Sequence, residues 1–186
     1  EFLDARRQRI CEECKIEFKS LPQTPVCPQC GKPGERLFDR LTIIAGRRFG
    51  KSRIGAVAGA EEACVSHSIG WCCAPTIPKL HRYVIPAFAQ LIPPSWVESW
   101  NTELKDLRLK NGSLIHFQTL EDPDQGRGQG LDWLWIDEVC ELTKEHWEVI
   151  RPSLAGNTVA FFTTSPRSYD WVYEELYKPA EDELPG

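Results

Sequence analysis

The sequence predicts an α/β fold, a mainly parallel sheet flanked by helices, preceded by a small metal-stapled module. Three observations carry that expectation. Two Cys-x-x-Cys pairs, Cys11/Cys14 and Cys27/Cys30, stand near the start of the chain. An apolar run from Leu41 to Ala45 breaks at a tight loop, and Gly50-Lys51-Ser52 then opens a helical pattern. Further on, LDWLWI ends in two adjacent carboxylates, Asp137 and Glu138.

A chain of 186 residues suffices for one main domain and a small appendage. Its apolar share of 41% and charged share of 26% are those of an ordinary globular protein. No apolar stretch approaches the ~18 residues of a membrane span and no secretory signal heads the chain, so no membrane partner is expected. Met is absent, even at position 1, which suggests a piece excised or processed from something longer. The formal charge of −5 argues against a free-standing basic nucleic-acid binder. Handling DNA would need a local basic face, or an oligomer that concentrates one.

Residues 1–36 read as a zinc ribbon. Each Cys-x-x-Cys turn aims two sulfurs at one tetrahedral centre, with Zn–S near ~2.3 Å. Pro28 and Gly31 suit the turn and its exit. Redox-active cysteine pairs are the competing explanation. A module this small cannot build an adequate core, and structural zinc supplies about 10–16 kcal/mol of apparent binding energy. Arg6, Arg7, Arg9, Lys15 and Lys19 are candidates for phosphate contacts, although a solvated surface explains them more simply. Cys64, Cys72, Cys73 and Cys140 lack ligand spacing and read as buried reduced thiols.

Residues 37–186 read as the main domain. In LTIIAGRRFGKS the strand, loop and helix start match a phosphate-binding P-loop. Its backbone N–H groups cradle phosphates, Lys51 reaches the β/γ oxygens and the Ser52 hydroxyl ligates Mg²⁺. Ala45 stands where the strict pattern begins with Gly, a tolerable swap at negative φ.

A strand is expected over 68–76 and a helix over 78–92, kinked or broken at Pro86. A hairpin is expected over 104–120, turning at Asn111-Gly112. Asp122 and Asp124 lie among Pro and Gly in an ordinary loop, and no second carboxylate cluster suggests a two-metal nuclease centre. The apolar run before Asp137 suits a buried central strand, whose C-terminal end faces the crevice where nucleotides bind. Asp137 then holds Mg²⁺ opposite Ser52, through water, and Glu138 deprotonates the attacking water, unless the acidic pair merely caps a helix.

A last β-rich run over 157–168 closes on Thr163-Thr164-Ser165-Pro166, whose hydroxyls are placed to contact a γ-phosphate or its attacking water. Glu174 and Glu175 read as part of a solvated helix, and Glu181, Asp182 and Glu183 as a polar tail.

In that order, AGRRFGKS, GSLIHFQ, GRGQGLDWLWIDEV and FFTTSP resemble the ATPase domain of tailed-phage terminase large subunits, motors that pack viral DNA into capsids. The resemblance runs from Leu37 to Lys178. It implies ATP, Mg²⁺ and Zn²⁺ as cofactors. ATP would be held by Ala45, Gly46, Arg48, Phe49, Gly50, Lys51, Ser52, Asp137, Thr164 and Ser165. It implies Arg47 as an arginine finger acting in cis, with Arg48 as the fallback, beside the catalytic Glu138. Thr163, Thr164 and Ser165 match the family's motif coupling hydrolysis to DNA movement. Arg127 is a candidate for sensing the nucleotide or a neighbouring subunit and Arg82 for a finger acting in trans, with ordinary surface arginines as the simpler explanation of both.

The implied partners are double-stranded DNA, a portal protein, a small terminase subunit and further copies in a ring, in the host cell cytoplasm. The family's nuclease domain would lie beyond this chain, so cleavage is not expected of it. The ribbon occupies the place of the family's adenine-reading glutamine, and neither Gln23 nor Gln29 matches it. DNA contact, portal docking and subunit contact remain open as the ribbon's role. A helicase or remodelling ATPase is the alternative, as is a non-hydrolysing ribbon adaptor; a nucleotide kinase lacks a lid and an acceptor pocket.

Overall fold

The structure, a computed structural model, describes residues 5, 7–122, 130–154, 158–166 and 171–178. Short alternating segments at the front give short strands: β1 (Gln8–Ile10), β2 (Glu17–Lys19) and β3 (Glu35–Arg36). They form an antiparallel sheet in the order β2-β1-β3. The second sheet contains β4 (Arg40–Ile44), β5 (Ile69–Ala74), β6 (Val97–Asn101), β7 (Asp106–Leu109), β8 (Leu114–Thr119), β9 (Trp133–Asp137) and β10 (Val159–Thr164). Its order is β4-β10-β9-β5-β8-β7-β6. The pairs from β4 to β8 are parallel, and β7 and β6 extend the sheet antiparallel.

Every residue of β9 and β10 is buried, as a continuous apolar run requires when both faces of a sheet are covered. Alternation divides them between two cores. Trp133, Trp135 and Phe161 pack with Ala56, Ala58 and Phe88, under helix α1 (Lys51–Ala63) and the helical segment 77–89. Leu134, Ile136 and Phe162 face the other way, onto Trp147 and Ile150 of α2 (Lys144–Ile150) and Val172 and Leu176.

The expected hairpin forms. Asn111 Oδ1 accepts from the Ser113 N–H (3.0 Å), its Nδ2 donates to the Ala63 carbonyl (2.9 Å), and Gly112 takes φ 85°. Strand β6 was not foreseen, because its residues after Val97 are exposed and carry no core-facing alternation. Pro86 neither breaks nor ends its helix. The segment runs as α-helix Ile77–Lys79, a π turn Leu80–Val84 and α-helix Ile85–Ala89. The wider turn before Pro86 absorbs the ring that an α turn would clash with. Leu80, Val84 and Phe88 still share the buried face. Near the end, Tyr173–Tyr177 forms a π-helical turn in which Glu174 is exposed while Glu175 pairs with Lys144 (2.9 Å). Glu181, Asp182 and Glu183 lie outside the described residues.

The ribbon is fastened to α1 by charges that the sequence leaves looking solvated. Arg7 Nη2 donates to Glu61 Oε1 (2.7 Å), and Gln23 Nε2 donates to the Glu61 carbonyl (2.9 Å). Arg36 grips Glu62 with a fork, Nη1 to Oε1 at 3.0 Å and Nη2 to Oε2 at 2.6 Å. Arg9 is buried and donates to the Gln8 carbonyl. Arg6 lies outside the described residues. Two acids in the last turn of α1 oppose its macrodipole, and the ribbon's arginines neutralise them. Glu62 has 3% of its side chain exposed, so losing the Arg36 fork leaves a buried charge less well compensated. Arg36→Ala is expected to cost about 3 kcal/mol in urea unfolding, the lower end for a broken buried pair because Arg36 is partly solvated. A loss near zero would show that the fork is ornamental.

Candidate functional site

The site grows from the end of β4. Ala45 continues the ladder, its N–H donating to the Thr164 carbonyl (3.1 Å), and it is not among the residues with positive φ. Its methyl is therefore tolerated where the strict pattern has Gly. Gly46, Arg47, Arg48, Phe49 and Gly50 form an exposed loop. Gly50 ends it at φ 85°, ψ 16°, the left-handed conformation that lets the chain turn directly into α1. Arg48 also has positive φ (64°), an uncommon conformation for a side-chain-bearing residue. Among the described residues, Arg47 and Arg48 make no ion pair. Lys51 is buried, its Nζ donating to the Gly46 carbonyl (3.1 Å) and lying 3.9 Å from Glu138 Oε1.

Strand β10 lies between β4 and β9 and brings the later motifs onto this loop. Ser52 Oγ donates to Asp137 Oδ2 (2.8 Å), and Thr163 Oγ1 donates to Asp137 Oδ1 (2.6 Å). Burial pushes the Asp137 carboxyl above its ordinary 3.8, opposed by these two hydrogen bonds and the Lys51 charge and reinforced by the Glu138 charge. Glu138 turns outward in a left-handed conformation (φ 53°, ψ 46°). There it accepts from the Ser165 N–H (3.3 Å) and from Ser165 Oγ (3.4 Å). Thr164 Oγ1 accepts the Cys140 N–H at 3.1 Å. Glu138 gives the following short helix no side-chain cap, so the acidic pair is not a capping device.

The residues expected at the phosphates, the metal and the water are therefore neighbours: Lys51, Ser52, Asp137, Glu138, Thr163, Thr164 and Ser165. Arg82 is exposed on the π turn, while Arg127 and Asp124 lie outside the described residues. Two participants were not foreseen. Cys140, expected to be buried, is half-buried with Sγ 4.0 Å from Glu138 Oε2, and Trp135 donates Nε1–H to Thr163 Oγ1 (3.0 Å). Of the other non-ribbon cysteines, Cys72 and Cys73 are fully buried, as expected, and Cys64 is half-buried. A cleft of about 730 Å³ lies elsewhere, between the ribbon and the opposite ends of the strands. Its lining mixes Arg9, Lys32 and Arg36 with Glu13, Glu62 and Asp132, and it includes neither the loop nor the acids.

The chemistry of both donor sets fits the expected ions. A hydroxyl and a carboxylate are hard oxygen donors of the kind Mg²⁺ takes alongside phosphate oxygens. In the ribbon the Sγ atoms of Cys11, Cys14, Cys27 and Cys30 all lie within 4.8 Å of one another, with Cys11 and Cys30 at 3.6 Å. Tetrahedral zinc with ~2.3 Å bonds needs sulfur separations of about 3.8 Å, whereas a disulfide needs about 2.05 Å. The Cys14 backbone N–H holds the Cys11 thiol down, to about 7.

A mainly parallel sheet whose edge strand runs through a glycine-ended loop directly into a helix defines an α/β domain with the architecture of the P-loop class. The chain belongs to the family described as terminase large subunit, T4likevirus-type, N-terminal, whose model matches residues 42–185. Among solved structures it is similar to the large terminase ATPase domain of Thermus phage P74-26, at 25% identity and TM-score 0.57, covering 73% of this chain and 62% of that one. It is also similar to the large terminase of a thermophilic bacteriophage in complex with ADP, at 16% identity and TM-score 0.64, covering 76% and 37%. The large terminase of bacteriophage HK97 gives 13% and 0.57, covering 77% and 36%. At those identities the last two speak for the fold alone. The chain thus spans less than two thirds of each of these structures. No curated protein matches it in sequence.

The raised Asp137 pKa has a consequence for stability. The folded state holds this proton more tightly than the unfolded chain, so the group costs stability as pH rises from about 3.8 through its folded value. Asp137→Asn is expected to raise the melting temperature at pH 7, with the gain vanishing below the ordinary carboxylate range. A melting temperature lowered at neutral pH would contradict the assigned direction.

Proposed function

We propose that this domain hydrolyses ATP and that, within a longer terminase subunit, hydrolysis drives double-stranded DNA into a viral procapsid. The observation that carries this is the convergence of Lys51, Ser52, Asp137 and Glu138 at the mouth of one loop. In this proposal the N–H groups from Gly46 to Ser52 cradle the phosphates and Lys51 neutralises the β/γ oxygens. Ser52 and Asp137 would hold Mg²⁺, which would supply charge neutralisation at the phosphates. Glu138, outward-facing and 28% exposed, takes the proton of the attacking water. Arg47 stabilises charge on the transferring phosphoryl group, and exposed Arg48 is its alternative. Thr164 and Ser165 tie the acid turn to β10, so that movement of Glu138 is felt along a central strand.

The 25% identity to a terminase ATPase domain supports ATP as ligand, and family membership supports DNA and the portal as partners. A small terminase subunit and a ring of copies complete the proposal, and a ring sums the few basic side chains that an acidic chain of net −5 can offer to DNA. A phage protein of this family acts in the host cytoplasm, and no helix among the described residues is long and apolar enough to cross a membrane. The family match favours this reading over the helicase, kinase and adaptor alternatives.

Steady-state ATP hydrolysis with and without double-stranded DNA tests it. Glu138→Gln is expected to lower kcat by about 10²–10⁴-fold. Arg47→Ala is expected to lower it by about 10³-fold or more. Wild-type turnover from Glu138→Gln would remove Glu138 as the base, and ATP binding without any turnover, even with procapsids and the longer chain, would favour the adaptor. For the ribbon, one zinc per chain is expected by metal analysis, with chelation or Cys27→Ser lowering the melting temperature. Metal-free protein with an unchanged melting profile would rule out structural zinc.

A further inference from the structure

The Thr163 hydroxyl has one hydrogen and two acceptors within reach, Asp137 Oδ1 at 2.6 Å and the Ile136 carbonyl at 3.3 Å. The indole N–H of Trp135 donates to that same hydroxyl oxygen at 3.0 Å. A hydroxyl that accepts on one side is steered to donate on the other, and inside a dry core the two bonds reinforce each other. Trp135 is fully buried, as is Thr163. The same indole presses on α1: a Cβ built on Gly55 would lie 2.2 Å from Trp135 Nε1. Gly55 is three residues after Ser52, on the same helix face.

We propose that Trp135 is a positioning residue for the metal-binding pair: its N–H aims Thr163 at one oxygen of Asp137, and its ring, set against Gly55, fixes Ser52 over the other. This rests on the ATP-hydrolase reading of the site. With Oδ1 held by Thr163, the Asp137 carboxylate cannot rotate freely, and Oδ2 stays toward Ser52 at 2.8 Å. Loss of the indole donor frees Thr163 to swing to the Ile136 carbonyl and unpins Asp137. The phosphate-cradling loop and Lys51 are untouched by that change, so nucleotide binding without metal persists.

The test is equilibrium binding of a fluorescent ADP analogue across a Mg²⁺ titration, for native protein, Trp135→Phe, Thr163→Val, Thr163→Ser and Asp137→Asn. Trp135→Phe and Thr163→Val are each expected to raise the half-saturating Mg²⁺ concentration about 10-fold, the usual scale for an outer-shell partner. Binding in EDTA should be unchanged, and Thr163→Ser, which keeps the hydroxyl, should behave as native. In turnover assays Trp135→Phe should need more Mg²⁺ but recover most of kcat when it saturates.

A folded Trp135→Phe with native Mg²⁺ dependence overturns the inference, as does equal loss of binding in EDTA. If Trp135→Phe does not fold, the Thr163 variants decide: a Val variant matching Ser overturns the inference. A native protein that binds no Mg²⁺-dependent nucleotide, or matches Asp137→Asn, brings down the hydrolase reading and this inference together. Native binding with an unaltered Trp135→Phe brings down the inference alone.

Discussion

Asp137 is a carboxylate withdrawn almost wholly from water at the end of a central strand, and the architecture around it is what makes that position tenable. An ionised carboxylate in such a place is unfavourable unless its oxygens are hydrogen-bonded and a cation is near. Ser52 and the Lys51 charge come from the first turn of α1, and Thr163 comes from β10. Those two stretches lie far apart in sequence, and they meet because β10 lies between β4 and β9. In the observed register Thr163 of β10 stands directly beside Asp137, at the level where β4 offers only Ile43. The strand order is therefore a requirement of the buried charge.

Helix α1 transmits this constraint across the molecule. Its first turn carries Lys51 and Ser52, and its last carries Glu61 and Glu62, gripped by Arg7 and Arg36 of the ribbon. Between them Gly55 sits on Trp135 and Gly59 on Trp133, each without room for a Cβ. The helix lies on the sheet at a distance fixed by two indoles and is held at its far end by an ion-paired module. A ribbon fastened there bears on the helix that carries Lys51 and Ser52, which gives the Cys cluster a structural consequence beyond the ribbon itself.

What was legible in the sequence was local. The P-loop declares itself because the strand, turn and helix start occupy LTIIAGRRFGKS, and the Asn111-Gly112 hairpin and the Cys-x-x-Cys turns are equally compact. The buried strand β9 was visible as an apolar run ending at its acids, and β10 as a β-rich run closing on hydroxyl residues. What escaped was set by partners distant in sequence. Arg36 and Glu62 each look like a solvated charge until the ribbon folds back on α1. Strand β6 follows two prolines and exposes most of its length, so its pairing with β7 left no pattern. Trp135 was legible as core but not as a donor, because its acceptor, Thr163, lies 28 positions on.

Glu138 shows how the backbone resolves a conflict between two neighbouring acids. Along a strand successive side chains point to opposite faces. Trp133, Trp135 and Asp137 share the face toward α1, so a continued strand would aim Glu138 at the other core, away from the loop. The chain instead enters the left-handed region at Glu138, at φ 53°. That is an unfavourable conformation for a residue with a Cβ, costing on the order of 1–2 kcal/mol. The turn returns the carboxylate to within 3.9 Å of Lys51 and onto both donors of Ser165. A glycine would relieve the backbone and forfeit the carboxylate. A glutamate that holds this conformation, bonded to the loop after β10 and capping no helix, fits the water-activating role proposed for it better than a purely structural one.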